Sequence, residues 1–161
     1  MLFYSEVHLS HKEIPGENSL CIYISGCKNK CPNCHYPELQ HERYGDPLYL
    51  HFVDIIEAYS PQATRVCFLG EGAGTIEEQQ ELVCYANCAR SIGLRTGLYC
   101  GRDTEPEEWM SAFTYIKVGS YKEALGPLDS KMTNQRMYMK GDGGYKDFTS
   151  MFWVVDGEQS D

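Results

Sequence analysis

The sequence predicts an α/β fold, an open or partial (β/α) barrel of about five to six mainly parallel strands. Apolar, β-branched strand patterns alternate with amphipathic helix patterns along the chain, as they do in proteins built on parallel sheets. Glycine or cysteine follows several of these strands, at the strand ends where open α/β sheets collect their ligands. Five or six strands in 161 residues are too few for a closed eight-stranded barrel of about 250 residues.

Strand and helix patterns can be followed in order from the first apolar run to the last. Two helices are expected to begin at capping boxes, in which a threonine is followed three residues later by glutamate. These are Thr75 with Glu78 and Thr104 with Glu107. Another helix is expected at about 48–59, and Pro61, two residues further on, is expected to end it. The predicted strands are 20–25, 65–69, 94–99, 115–118 and 136–140.

Length and charge limit the class of protein. A single domain is expected over residues 1–161, with a core at about 20–140 and a C-terminal tail at 141–161. Lysine and arginine number 14 against 23 acidic residues, a net charge of −9. This charge argues against a nucleic-acid groove, which needs a basic surface. Without a membrane-spanning apolar run or a signal peptide, we expect a cytoplasmic protein with no membrane partner.

Eight cysteines are the unusual feature of the composition, and three of them are clustered. Cys27, Cys31 and Cys34 form a C-x3-C-x2-C pattern directly after the first predicted strand. Thiolates are the usual ligands of iron–sulfur clusters, which normally take four. Three local thiolates therefore suit a [4Fe–4S] cluster whose fourth iron stays open to a small chelating substrate.

Two other interpretations of the three cysteines stay open on spacing alone. Structural zinc would need a fourth ligand, and His35, His41 and Cys21 are the candidates. Zinc sites more often combine two close ligand pairs, and the second pair is missing here. Three buried core cysteines are the other alternative, although Lys, Asn and Pro between them make a poor core segment.

The cysteine spacing resembles the signature of the radical S-adenosylmethionine (SAM) superfamily, whose members are partial (β/α) barrels with the cluster loop at the top. The segments Lys117–Tyr121 and Thr133–Arg136 are similar to one branch, the activating proteins of anaerobic (class III) ribonucleoside-triphosphate reductase. The resemblance runs from about Cys21 to Tyr138. It implies that Cys27, Cys31 and Cys34 ligate a [4Fe–4S] cluster and that SAM chelates its open iron.

The same resemblance implies an activity and partners. Such proteins use a reduced cluster to split SAM into methionine and a 5′-deoxyadenosyl radical. This radical removes a hydrogen atom from a glycine of the reductase, leaving a stored glycyl radical. The implied partners are the glycyl-radical subunit of the reductase and a low-potential electron donor such as flavodoxin or ferredoxin. The open alternatives are an activase of another glycyl-radical enzyme such as pyruvate formate-lyase, a degenerate radical SAM fold, and a non-catalytic zinc-binding module.

Further cofactor-binding residues follow from the family pattern. The family has Gly-Gly-Glu or Gly-Gly-Asp after its second strand, and this chain has Gly70, Glu71 and Gly72, so the acid is shifted by one. The residue before the third cysteine is commonly aromatic, and here it is Asn33. Three more side chains are candidates for the SAM site, each with a structural alternative: Tyr36, Arg102 and Lys117.

The remaining polar and cysteine patterns have weaker functional interpretations. Asn134, Gln135 and Arg136 are expected at the rim of the substrate-peptide or SAM site, or else in an ordinary turn. Cys84 and Cys88 lie at i and i+4 of a predicted helix, where we expect them to be core residues. We also expect buried thiols at Cys21, Cys67 and Cys100.

Overall fold

The computed structural model describes residues 1–10, 17–26, 45–120 and 132–152, together with 122, 124, 125, 128 and 130. In this part of the chain, eight strands form one mixed sheet, with two α-helices. The helices are α1 (Phe52–Tyr59) and α2 (Ile76–Ser91). The strands are β1 (Phe3–Ser10), β2 (Ser19–Ile24), β3 (Asp46–Pro47), β4 (Arg65–Leu69), β5 (Arg95–Tyr99), β6 (Tyr115–Val118), β7 (Arg136–Gly141) and β8 (Gly144–Asp147).

The sheet order is β3-β1-β2-β4-β5-β6-β7-β8, and its centre and edges differ in direction. Strands β2, β4, β5 and β6 are parallel neighbours. The other four of the seven neighbouring pairs are antiparallel. The predicted partial (β/α) barrel of about five to six mainly parallel strands is therefore wrong. The described chain is a single eight-stranded mixed sheet with too few helices for a (β/α) barrel.

Two features of the sequence account for this error. Strand β1 was not predicted because its exposed and half-buried residues alternate without an apolar run. Asp142 and Gly143 join β7 to β8 in a two-residue hairpin, since Gly141 pairs with Gly144. Asp-Gly is a preferred sequence for such turns. Antiparallel strands thus flank the parallel centre on both sides, whereas the sequence predicted mainly parallel strands.

The helices predicted from capping boxes have different outcomes. The Thr75 box is confirmed: Thr75 Oγ1 accepts from the Glu78 amide at 3.2 Å, and α2 follows. The helix predicted after Thr104 is wrong, because residues Glu108–Ala112 form a 3-10 turn whose N-cap is Glu107. The helix expected at about 48–59 is a 3-10 turn at Leu48–Leu50 followed by α1. All five predicted strands are present, with their ends moved by one residue at most.

Both α-helices pack on the same face of the sheet. Phe52 of α1 and Tyr85 of α2 stack with ring centroids 4.4 Å apart, over Phe68 of β4. Burial of this apolar surface is the main stabilising contribution to the fold. On the opposite face, the buried clusters contain strand residues such as Cys21, Cys67 and Tyr115 and no residue of α1 or α2.

In the described part of the chain, no helix has the length and apolar character needed to cross a membrane.

The two threonines of the T-x-x-E patterns provide a matched stability test. Thr75→Ala removes the acceptor that caps α2 and should lower the free energy of unfolding by about 1 kcal/mol. Thr104 donates only to the neighbouring Glu105 carbonyl, so Thr104→Ala should change that free energy by less than about 0.5 kcal/mol. Urea denaturation of both variants measures the difference. Equal losses would contradict the assignment of Thr75 as the cap.

Candidate functional site at the carboxyl edge

The four parallel strands end at one edge of the sheet, here called the carboxyl edge. Adjacent strands are joined there, because the Gly70 amide donates to the Tyr99 carbonyl at 2.9 Å and the Cys100 amide donates to the Lys117 carbonyl at 2.7 Å. Gly26 follows β2 at this edge with a φ of +89°. The next residue in the sequence is Cys27, the first of the three cysteines, and β2 ends beside the end of β4.

Five of the predicted site residues lie outside the described residues. They are Cys27, Cys31, Asn33, Cys34 and Tyr36. Among the described residues, no group of three or more His, Cys, Asp or Glu side chains is arranged to hold a metal ion. The cluster ligands and the two neighbouring SAM candidates therefore stay predictions.

The glycine loop, residues 70–74, follows β4. Two of its glycines, Gly70 and Gly72, pack so closely against neighbouring atoms that a side chain would not fit. A Cβ on Gly70 would lie 3.0 Å from the Ile24 carbonyl oxygen of β2. A Cβ on Gly72 would lie 2.6 Å from Leu2 Cδ2 and 3.0 Å from Glu78 Oε2. The φ angles of both glycines are positive, +117° and +68°, a region that side chains disfavour. Packing within the protein therefore requires both glycines, whether or not a ligand approaches.

Glu71 is buried in this loop and its carboxylate is bound by side chains of the chain itself. Arg102 Nε donates to Glu71 Oε2 at 2.9 Å and Arg102 Nη2 donates to Oε1 at 3.0 Å. The Cys100 thiol donates to Oε2 at 2.6 Å. Burial, together with the Glu71 carboxylate, raises the pKa of Cys100 to about 12, so this thiol stays protonated at neutral pH.

Arg102 joins Glu71 to a second carboxylate, in an arrangement here called the Arg102 bridge. Its Nη1 and Nη2 atoms donate to Glu107 at 3.0 and 2.6 Å. Hydrogen bonds to Glu107 and then Glu71 raise the Arg102 pKa, and the bond from Arg102 lowers the pKa of Glu107. Trp109 Nε1 also donates to Glu107, at 2.8 Å. One guanidinium thus holds the loop after β4 against the segment after β5.

The next residue, Asp103, connects this segment to the end of β6 and the start of β7. Its carboxylate accepts from the Ser120 amide at 3.0 Å and from the Asn134 side-chain amide at 3.1 Å. The Arg102 carbonyl accepts from the Gly119 amide at 2.7 Å. Residues 102 and 103 therefore tie together the loops at the ends of β4, β5 and β6.

Lys117 lies on the face of the sheet that α1 and α2 do not cover. It is partly exposed, and its Nζ lies 5.0 Å from the centre of the Tyr99 ring on β5. Tyr23, Leu69, Tyr99 and Lys117 are register partners across the four parallel strands. The row they form stands at the carboxyl edge: Leu69 and Tyr99 are the last residues of β4 and β5, and Tyr23 and Lys117 lie one residue before the ends of β2 and β6. A cation and aromatic rings are therefore present where a polar ligand at this edge would lie.

The three predicted rim residues have different environments. Asn134 donates to Asp103 and to the Ser120 carbonyl, both at 3.1 Å. Gln135 is buried, whereas Arg136 is partly exposed, with its Nη1 atom 3.7 Å from Asp147 Oδ2. Asn134 and Arg136 line an open cleft of about 430 Å³ with Asp103, Thr104, Glu105, Val118, Gly119 and Lys122. Two of the three residues thus border a cleft, and Gln135 does not.

The described cysteines outside the cluster motif divide into buried and exposed groups. Cys21, Cys67 and Cys100 are buried, as predicted. Cys84 and Cys88 lie on the exposed side of α2, so their prediction as core residues is wrong. Tyr85 takes the inward position instead, since it stacks on Phe52.

Sequence reasoning missed the partners of Arg102. Glu107 was interpreted as part of a capping box and Asp103 received no role. The signal that was available is Gly-Arg-Asp within four residues of the end of a parallel strand, because charged residues at that position meet the loops of neighbouring strands.

No protein-family model, no curated protein and no solved structure matches this chain. The resemblance to radical SAM activating proteins therefore stays a prediction drawn from the residues.

Gly72 and Gly93 provide a matched test of packing in the glycine loop. The φ angles of both are positive, so alanine at either position should cost about 1–2 kcal/mol of backbone strain. Gly93 has no atom within 4 Å of a new Cβ, whereas Gly72 has Leu2 at 2.6 Å. Gly72→Ala should therefore lose roughly 1–3 kcal/mol more than Gly93→Ala in urea denaturation. Equal losses would show that Leu2 moves aside freely.

Proposed function

We propose that this chain is a radical SAM enzyme that activates anaerobic ribonucleoside-triphosphate reductase by forming its glycyl radical. One observation carries the proposal. The C-x3-C-x2-C segment begins one residue beyond Gly26 at the carboxyl edge, and the glycine loop is the next loop along that edge. Ligands of open α/β sheets collect at such edges. The function is argued from these residues and their positions, and does not depend on a barrel.

The donor set fits the two proposed cofactors. Cys27, Cys31 and Cys34 offer three thiolates, the ligand type that iron–sulfur clusters use. Gly70, Ala73 and Gly74 of the glycine loop are partly exposed at the edge, and Lys117 offers a cation to the SAM carboxylate. When bound, the reduced cluster and SAM supply a 5′-deoxyadenosyl radical. The chain's own residues bind and orient these groups and exclude water from them.

The partner's glycine must reach this edge in a closed complex, because a primary alkyl radical in water reacts before it can diffuse to a target. The cleft beside Asn134 and Arg136 adjoins the ends of β5 and β6 and offers charged side chains to a peptide backbone. We propose that it receives the peptide around the target glycine. An electron donor of low potential, such as flavodoxin or ferredoxin, would reduce the cluster.

Alanine substitution of the three cysteines tests the cluster. Cys27→Ala, Cys31→Ala and Cys34→Ala should each lower iron and sulfide content and reduce 5′-deoxyadenosine formation to background, since a thiolate ligand is lost. Cys84→Ala is the control, because Cys84 is exposed on α2 and should keep full activity. The assay uses anaerobically reconstituted protein with SAM and reductant. Full activity of Cys31→Ala, or zinc in place of iron in the wild type, would refute the proposal.

Two cationic side chains, Arg136 in the cleft and Lys146 outside it, provide a test of the peptide cleft. Arg136→Ala should lower the glycyl-radical yield on the reductase about tenfold, the effect of losing one charge-assisted hydrogen bond of about 1.5 kcal/mol. Lys146→Ala removes an exposed charge from β8 that does not line the cleft, and should leave the yield unchanged. Both variants should keep uncoupled SAM cleavage. Asn134 is unsuitable for this test, because its amide holds Asp103 and Ser120. A normal radical yield with Arg136→Ala would exclude this role.

A further inference from the structure

The glycine loop is held from two sides by carboxylates. At its start, Glu71 is bound by Arg102 and Cys100. At its end, Glu78 Oε1 accepts from the Ala73 amide at 3.0 Å and from the Thr75 amide at 3.4 Å. The loop conformation is therefore set by contacts inside the protein, before any ligand binds.

The Glu71 carboxylate is already paired in this arrangement. Its side chain is only 8% exposed, and both of its oxygens accept from the fork of one guanidinium. A ligand ammonium group that bound Glu71 would have to replace a bidentate ion pair in a buried position. Such pairs are strong and geometrically specific, and breaking one leaves a buried charge without compensation.

From these contacts we infer that Arg102 is a positioning residue for the glycine loop and that Glu71 anchors the loop instead of contacting SAM. This inference rests on the proposed function, in which the loop binds SAM. It assigns the amino end of SAM to the loop backbone, because the shifted acid of Gly-Glu-Gly is bound to Arg102. Arg102 acts on the glycine loop through Glu71, while its bonds to Glu107 hold it in the segment after β5, and it does not touch the ligand.

A double-mutant cycle tests this coupling on the full chain reconstituted with its cluster. The variants are Glu71→Gln, Arg102→Gln and the double variant. Arg90→Gln is the control, since Arg90 is exposed in the last turn of α2, at the opposite end of that helix from the glycine loop. Each single variant should weaken SAM binding about tenfold, and the double variant should be no weaker than either. Iron content should not change, and 5′-deoxyadenosine formation at saturating SAM should approach the wild-type rate.

Hydrogen exchange of amides 70–74 without SAM provides an independent measurement. Loss of either partner should speed exchange in this loop about tenfold, and Arg90→Gln should leave it unchanged. Unchanged exchange in Arg102→Gln overturns the inference. So does an additive loss of SAM affinity, which would mean that Glu71 contacts SAM directly. If the wild type fails to bind SAM while the exchange coupling holds, the proposed function fails and the anchoring of Glu71 by Arg102 stands.

Discussion

The Arg102 bridge is the interaction on which the carboxyl edge depends. A carboxylate as buried as Glu71 is tolerated only where a partner compensates its charge, and the Arg102 guanidinium provides both charge and geometry. The same guanidinium binds Glu107, which caps the turn carrying Trp109. Removing Arg102 would leave two carboxylates facing each other near a buried position. The loops after β4 and β5 are therefore held together as one unit by the Arg102 side chain.

The direction of the strands explains why so many polar contacts converge on that unit. Four parallel strands end at the carboxyl edge, so their following loops are neighbours in space although they are far apart in sequence. Antiparallel β7 then begins at this edge, which brings Asn134 within reach of Asp103. The two helices pack on one face of the sheet, and α2 contributes Glu78 to this edge, where its carboxylate accepts from the Ala73 amide of the glycine loop. The mixed sheet thus assembles the edge mainly from strand ends and the loops that follow them.

The sequence predicted what apolar runs determine and missed what tertiary contacts determine. Central strands such as β4 are buried on both faces, and their continuous apolar residues are visible in the sequence. Thr75 with Glu78 and Thr104 with Glu107 have the same spacing, yet only the first begins a helix. The difference is that Arg102 and Trp109 bind the Glu107 carboxylate, so it is not available to the Thr104 amide. No local pattern could reveal that competition, since Arg102 is oriented by Glu71 from another loop.

The error in the predicted fold does not rule out the proposed chemistry. The barrel was predicted from strand–helix alternation, and it failed because the flanking strands β1, β7 and β8 pair antiparallel. The proposed activity depends on thiolate donors and on a neighbouring, partly exposed loop, and neither requires a closed barrel. What the mixed sheet does change is the role of the acid in the glycine loop. Because Arg102, in the segment after β5, binds Glu71, the charge that the family pattern would direct at a ligand is neutralised inside the protein. In the proposed function, SAM would then be recognised by backbone groups of the glycine loop and by Lys117.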